Sequence, residues 1–392
     1  MSRASIACAS LCSVAAGSLL AHCSSGGTGS HAMGGSDGGT DVTTMGGGGP
    51  GPGEAAADGG TASDSGTGPG NPPANDGGHD GQALGDASTG PTLGGCPLFQ
   101  PGFAYNEDIS QSAVDTGSAT YLAALKSSAP VIGLDYPGGE AYNIVPASQP
   151  AVPVQTSSFY GFDPTDTFFY DADAGGATAP IPSNVQYENM NTPNADHHMM
   201  ILQQGTCQLF ELYAWNPTSA TTGWSVLVEW DLNGTNVQIP GNLEVGSTTA
   251  AGTPLLPGVI WMDEVAAGLI QHAVDIVMPA AAISKCNYVH PASDGAWSAT
   301  GTFPYGGRLR LKATYDTSKV TGTQALVVLR ALQKYGMFNT DISGETRSSF
   351  RLGGLGNNQG WNQTDIEQLG TLTWDDFDVV DLGTVQTMAG CK

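Results

Sequence analysis

Arg308, Arg310 and Lys312 fall at alternating positions in the stretch Gly307 to Asp316, with Leu309, Leu311 and Ala313 between them. As a β-strand this stretch puts a row of cations on one face and an apolar row on the other. The row stands out because the chain has 12 Lys+Arg against 36 Asp+Glu, a formal net charge of −24. Lys126 is the single basic residue between Cys96 and Ile283. Evenly spaced cations suit the carboxylates or sulfates of an anionic polymer. A solvated strand face paired with neighbouring Asp and Glu is the alternative. In a second stretch, Glu211, Tyr213 and Trp215 alternate onto one face. A carboxylate beside two aromatic rings can bond sugar hydroxyls, move protons and stack on sugar C–H surfaces. The competing reading is that Tyr213 and Trp215 are core and Glu211 sits at the rim.

Two histidines complete the set. His197 and His198 fall on opposite faces of one strand, so one of them points into a given site. His272 shares a strand face with Val274 and Ile276, where a packed, hydrogen-bonded histidine is as natural as a catalyst. In one chemistry, His272 or His198 and Tyr315 act as base and acid on a uronic-acid polymer, with Glu211 beside them. Arg308 or Arg310 neutralises the substrate carboxylate so that the C5 proton can leave by β-elimination. Lys312, Tyr213 and Trp215 line the same groove, and no cofactor is needed. In the other, His198, Glu211 and His272 form a two-His, one-carboxylate site for a divalent metal ion. A glycoside hydrolase using the chain's carboxylates, and a non-catalytic carbohydrate-binding or adhesion protein, are further alternatives. The acidic-aromatic strings at Glu229 to Asp231 and Trp374 to Asp378 could supply such carboxylates or be strand ends. There is no GxSxG elbow, and Gly353 to Gly356 lacks a phosphate-binding context. So acidic a chain is unsuited to nucleic acid. The expected partner is a polysaccharide, and the expected state is a monomer.

The order of Gln271-His272-Ala273 and Lys312-Ala313-Thr314-Tyr315 resembles two strand motifs of the jelly-roll alginate-lyase-like enzymes. The resemblance implies that His272 matches the motif's His, Lys312 its Lys and Tyr315 its catalytic Tyr. In this chain Gln271 directly precedes His272, and Tyr315 comes one position early, which by plain alternation puts it with the apolar row. A broader resemblance spans most of the chain after about Val145. Asp196-His197-His198, Asp263-Glu264-Val265-Ala266-Ala267-Gly268, Arg308 to Asp316 and Ala331 to Met337 resemble a group of secreted bacterial proteins of uncharacterised function. It implies one extracellular domain and brings no reaction with it.

Elements that could hold these residues follow a long leader. Residues 1–23 read as an export signal, with Arg3 ahead of an apolar run that ends at Leu20-Ala21-His22-Cys23. The ending is similar to a lipoprotein signal in which Cys23 is lipidated. Ser24 then favours the outer membrane, and an ordinary secretory signal is the alternative. Residues 24–95 are rich in Gly, Ser, Thr, Asp and Pro without Lys or Arg, the composition of a disordered, weakly acidic linker. Residues 96–392 form the functional domain, extracytoplasmic and long enough for a sizeable core. Four cysteines there, Cys96, Cys207, Cys286 and Cys391, read as two disulfides, with Cys96–Cys391 and Cys207–Cys286 preferred. Short alternating segments broken by Gly, Pro, Asn and Asp predict a mainly β fold, a jelly-roll-type β-sandwich with one or two short helices. A hairpin is predicted from His197–Leu202 and Gln208–Trp215, strands at Trp224–Asp231 and Ile270–Met278, and helices at Thr323–Tyr335 and from Thr364.

Overall fold

The computed structural model describes residues 90–134, 139–156, 178–192, 195–217, 219, 223–234, 248–295, 299–356, 360–388 and 391. The expected signal and nearly all of the expected linker lie outside the described residues. The linker's last residues are already folded: Thr92 and Leu93 pair with Pro97 and Cys96, and Leu93 is buried.

The domain is mainly β. Its two large sheets are built from β1 (Val131–Leu134), β2 (Glu140–Val145), β3 (Gln155–Thr156), β4 (Met199–Gln203), β5 (Gln208–Pro217), β6 (Gly223–Asp231), β7 (Ile260–Trp261), β8 (Val274–Pro279), β9 (Arg308–Leu311), β10 (Met337–Ser343), β11 (Arg347–Phe350), β12 (Leu352–Leu355) and β13 (Phe377–Val379). The seven-stranded sheet has the order β7-β12-β2-β4-β5-β6-β3, and the six-stranded sheet the order β13-β9-β10-β8-β11-β1. β4 and β5 form the predicted hairpin, and β6, the predicted strand at Trp224–Asp231, pairs antiparallel with β5. The pairs β7–β12, β12–β2 and β2–β4 are parallel, as are β8–β10 and β11–β1. The sequence expectation, a jelly-roll-type β-sandwich, did not include these parallel pairings. Parallel neighbours need long crossovers, and β2 is joined to β4 only after residues 146–198. Local alternation does not report which distant strand comes back to pair.

Both faces of the seven-stranded sheet are covered. Tyr142, Met200, Leu202, Leu209, Val228 and Trp230 face the main core, and Val145, Met199, Ile201, Phe210, Leu212 and Leu227 face a second one. That is why β4 reads Met-Met-Ile-Leu, a continuous apolar run, instead of alternating.

Helix α1 (Ser118–Ser128) was not anticipated, since its buried apolar residues are only Leu122 and Leu125. Helix α2 (Met262–Ala267) ends at Gly268 in the left-handed region, and α3 (Thr323–Lys334) has nearly the predicted bounds. Gly336 follows α3 at φ +73, where an added Cβ would stand 2.4 Å from the Leu309 carbonyl. Only glycine lets the turn pass this close to β9.

The disulfides correct the expected pairing. Cys96 bonds Cys207, and Cys286 bonds Cys391. Cys207 lies in the β4–β5 turn, and Cys391 follows the strand Gln386–Thr387, which pairs with Ile283–Tyr288. The first end of the domain is thus stapled to the β4–β5 turn and the other to the strand Ile283–Tyr288, and the ends are not clasped to one another. Among the described residues no helix is long and apolar enough to cross a membrane.

Candidate functional site

The cationic row does not stand free. Strand β9 ends at Leu311, and Lys312 opens a turn. Arg308 Nε and Nη2 donate to the Tyr335 carbonyl at 3.0 and 2.7 Å, Nη2 also donates to the Glu107 carbonyl at 3.0 Å, and Nη1 lies 3.5 Å from the Glu107 carboxylate. Arg310 Nη1 donates to the carbonyls of Ile109 (2.6 Å) and Ser112 (2.8 Å), and Lys312 Nζ to that of Asp375 (2.7 Å). Asp378 lies 3.8 Å from Arg310 and 3.9 Å from Lys312. These cations bind the segments at residues 107–112 and 375–378 to the strand, which leaves no even row to meet a polyanion. Tyr315 is half-buried against the main core, and the His272 ring nitrogens are taken up by Glu264 and the Ala273 carbonyl.

The aromatic face is also rearranged. Ala214 adopts φ +56, and Ala214 and Trp215 together oppose the single residue Ser225 on β6. This β-bulge turns Trp215 to the other side of the sheet. It lies 1% exposed in the second core, whereas Tyr213 stays with His198, ring centroids 5.0 Å apart, and donates to Asp196 at 3.4 Å. Glu211 is not at a rim. It is fully buried, and its carboxylate accepts from the amides of Leu255 and Leu256 (2.8 Å each), Trp230 Nε1 (2.9 Å) and Thr248 Oγ1 (3.0 Å). Burial still raises its pKa, although these four donors act against the rise.

His198 and Glu211 are brought together through Thr248, whose carbonyl lies 3.0 Å from His198 Nε2. His198 Nδ1 lies 2.8 Å from Glu188, which also accepts the His198 amide. Burial alone would lower the imidazole, but the Glu188 carboxylate pushes it up to about 10, and Glu188 is lowered in turn. Burial pushes the neighbouring Asp196 up to about 7, against the pull of His198. Tyr142 on β2 pairs with Met200 on β4, so Glu140 and His198, each two residues earlier, share one face. Arg351 joins β11 of one sheet to β12 of the other and ion-pairs with both Glu140 and Asp341. The ligating atoms of Glu140, Glu188 and His198 lie within 4.8 Å of one another.

His272 belongs to a different place. It is fully buried, with Nε2 3.0 Å from Glu264 on α2 and Nδ1 2.8 Å from the Ala273 carbonyl. Burial disfavours its charge, yet Glu264 outweighs this and raises its pKa. The two-His, one-carboxylate set of His198, Glu211 and His272 is therefore not assembled: Glu211 is filled by four donors, and His272 has its own partner.

A solvent-open cavity of about 350 Å³ lies beside β9. Arg308 and Phe338 form part of its wall, the guanidinium carbon 4.6 Å from the ring centroid. Glu107, His290 and Asp381 add titratable groups, and Ile109, Val289 and Leu382 apolar ones. Burial brings Arg308 down to about 10, which keeps it charged at neutral pH, and lowers His290, which keeps it neutral there.

Sequence reasoning missed Glu140, Glu188, Arg351, Glu107, His290 and Asp381. Arg351 had a signal, as one of few cations, placed within the apolar and small run Ser-Ser-Phe-Arg-Leu-Gly-Gly. The others lie in segments whose approach depends on the long crossovers. No family model matches the chain, and neither a curated protein nor a solved structure does, so its function is argued from the geometry of these residues.

Proposed function

We propose that this chain is an exported carbohydrate-active protein that takes one neutral or singly charged sugar unit of an extracellular polysaccharide into the cavity beside β9. The observation that supports this is the convergence of Arg308, Glu107, His290 and Asp381 on one solvent-open cavity with an aromatic wall at Phe338. Its volume, about 350 Å³, falls within the usual range of small-ligand sites. One cation faces two carboxylates, and His290 is neutral, so the lining carries no positive excess. This favours a sugar's hydroxyls over a chain of carboxylates or sulfates, and hydrolysis over elimination. Glu107 and Asp381 are the carboxylates that would protonate the leaving oxygen and activate water. Arg308, held by its carbonyl contacts, would orient a ring hydroxyl.

The test incubates the full mature chain, disulfides intact, with neutral and anionic polysaccharides while new reducing ends and ultraviolet absorbance are followed. Reducing ends without absorbance, lost in Asp381→Asn by about 100-fold or more while binding persists, are the expected result. Absorbance rising with reducing ends means elimination and overturns the hydrolytic assignment. Binding without turnover in the wild type would make the cavity a recognition site alone.

A further inference from the structure

We propose that Glu140, Glu188 and His198 together bind a divalent transition-metal cation of the Zn²⁺ or Mn²⁺ type, in a site separate from the sugar cavity.

The three residues are at most 4% exposed, and their ligating atoms lie within 4.8 Å of one another. Donors around a cation that binds nitrogen and oxygen at about 2.0–2.2 Å stand roughly 3–3.5 Å apart, so the 2.8 Å contact between His198 and Glu188 opens slightly and the wider separations close to admit one. The imidazole supplies a second, independent argument. Its Nε2 lies 3.0 Å from the Thr248 carbonyl, which can only accept, so the hydrogen resides on Nε2. A backbone carbonyl holding the far nitrogen is the usual support of a metal-bound histidine. That tautomer leaves the Nδ1 lone pair facing a Glu188 carboxylate oxygen at 2.8 Å. Two lone pairs do not rest that close unless something positive lies between them.

Charge favours a metal over a proton alone. Four buried carboxyl groups, Glu140, Glu188, Asp196 and Asp341, meet here, and the Arg351 guanidinium pairs with two of them, Glu140 and Asp341. A proton on His198 adds one positive charge to this set, and a dication adds two. His272 faces the same two kinds of partner, one carboxylate and one carbonyl, but among the described residues no second carboxylate joins it to make a three-ligand set, so a proton suffices there. Among the described residues, no other three His, Cys, Asp or Glu side chains bring ligating atoms this close. One nitrogen with two carboxylates suits Zn²⁺ or Mn²⁺ better than Ca²⁺ or Mg²⁺, which prefer oxygen alone. The cation would join β2, the start of β4 and the Glu188 segment, and water would complete its coordination.

The test uses the full chain without a histidine tag. Metal content is measured after exhaustive dialysis, and thermal unfolding is followed before chelation, after EDTA treatment and after re-addition of Zn²⁺ or Mn²⁺. The expected result is close to one metal per chain, a midpoint lowered by several degrees on stripping, and its recovery with one equivalent of metal. Glu188→Gln loses the retained metal, whereas Glu264→Gln, which disturbs only the His272 pair, keeps it. Should Glu188→Gln fail to fold, stripping and restoring the wild type still decides. No retained metal together with an unchanged midpoint on addition overturns the proposal and assigns the position to a proton. Wild-type stoichiometry in folded Glu188→Gln overturns it as well, by moving the metal elsewhere on an acidic chain.

Discussion

Glu211 is held by four donors and is closed off from solvent. Glu211→Ala leaves two backbone amides, an indole N–H and a hydroxyl without their acceptor. The cost should be about 3–5 kcal/mol, read from urea denaturation, and a loss below 1 kcal/mol would mean that the loop at Leu255 and Leu256 does not depend on the carboxylate. A second residue-scale effect concerns pH. Burial raises Asp275 to about 7, although Tyr105 donates to it at 2.8 Å. A carboxyl raised in the folded state adds stability below its unfolded pKa of about 3.9, and that stability is lost as pH rises through the folded value. His272 is raised too, so its contribution is present below about 6.5 and declines above it. The signs agree, and the thermal midpoint should fall between pH 5 and pH 8, less steeply in Asp275→Asn. A midpoint that climbs across this window would refute the argument.

Strand β9 carried the most conspicuous pattern in the sequence. Its alternation is real, and the contacts of its cations tie neighbouring segments to the strand. Arg310→Ala strips the Ile109 and Ser112 carbonyls of their donor and should cost about 1–3 kcal/mol while leaving polysaccharide binding unchanged. Lost binding at full stability would reinstate the charged face as a contact surface. Strand β5 teaches a related point. Glu211-Leu212-Tyr213-Ala214-Trp215 alternates without fault, and nothing in it marks the left-handed Ala214 that sends Trp215 to the second core. Glycine adopts this conformation without strain, so Ala214→Gly should stabilise the protein by about 0.5–1 kcal/mol. Helix α3 was legible almost to the residue, because its apolar stripe and the following glycine are local signals. The pairing of β2 with β4 and β12 was not, because it depends on residues far apart in the chain.

At the scale of the molecule, the mainly β character and the presence of two disulfides were legible from segment texture and an even cysteine count. Their pairing was not, since four cysteines allow three connectivities and spacing does not choose among them. The polar sites were half legible: His198, Glu211 and Arg308 stood out as types, but their partners come from other strands. Cys96 and Cys207 are 111 residues apart in sequence. In the chain-entropy account, closing so long a loop stabilises by about 4–5 kcal/mol. The double variant Cys96→Ser/Cys207→Ser should show a loss of that order in denaturant titrations, and an unchanged midpoint would place the bridge outside the cooperative unit.

These bridges also determine how the domain bears a mechanical load. A pull on the chain ahead of Cys96 passes through the sulfur bond to Cys207 and bypasses residues 97–206. The force arrives at the turn between β4 and β5, two strands well inside the seven-stranded sheet. Traction from the other end reaches Cys391 and crosses to Cys286 on Ile283–Tyr288, so residues 287–390 are bypassed as well. Oxidised protein stretched from its ends would therefore pay out far less contour than its length allows, and reduction would release two hidden lengths of chain.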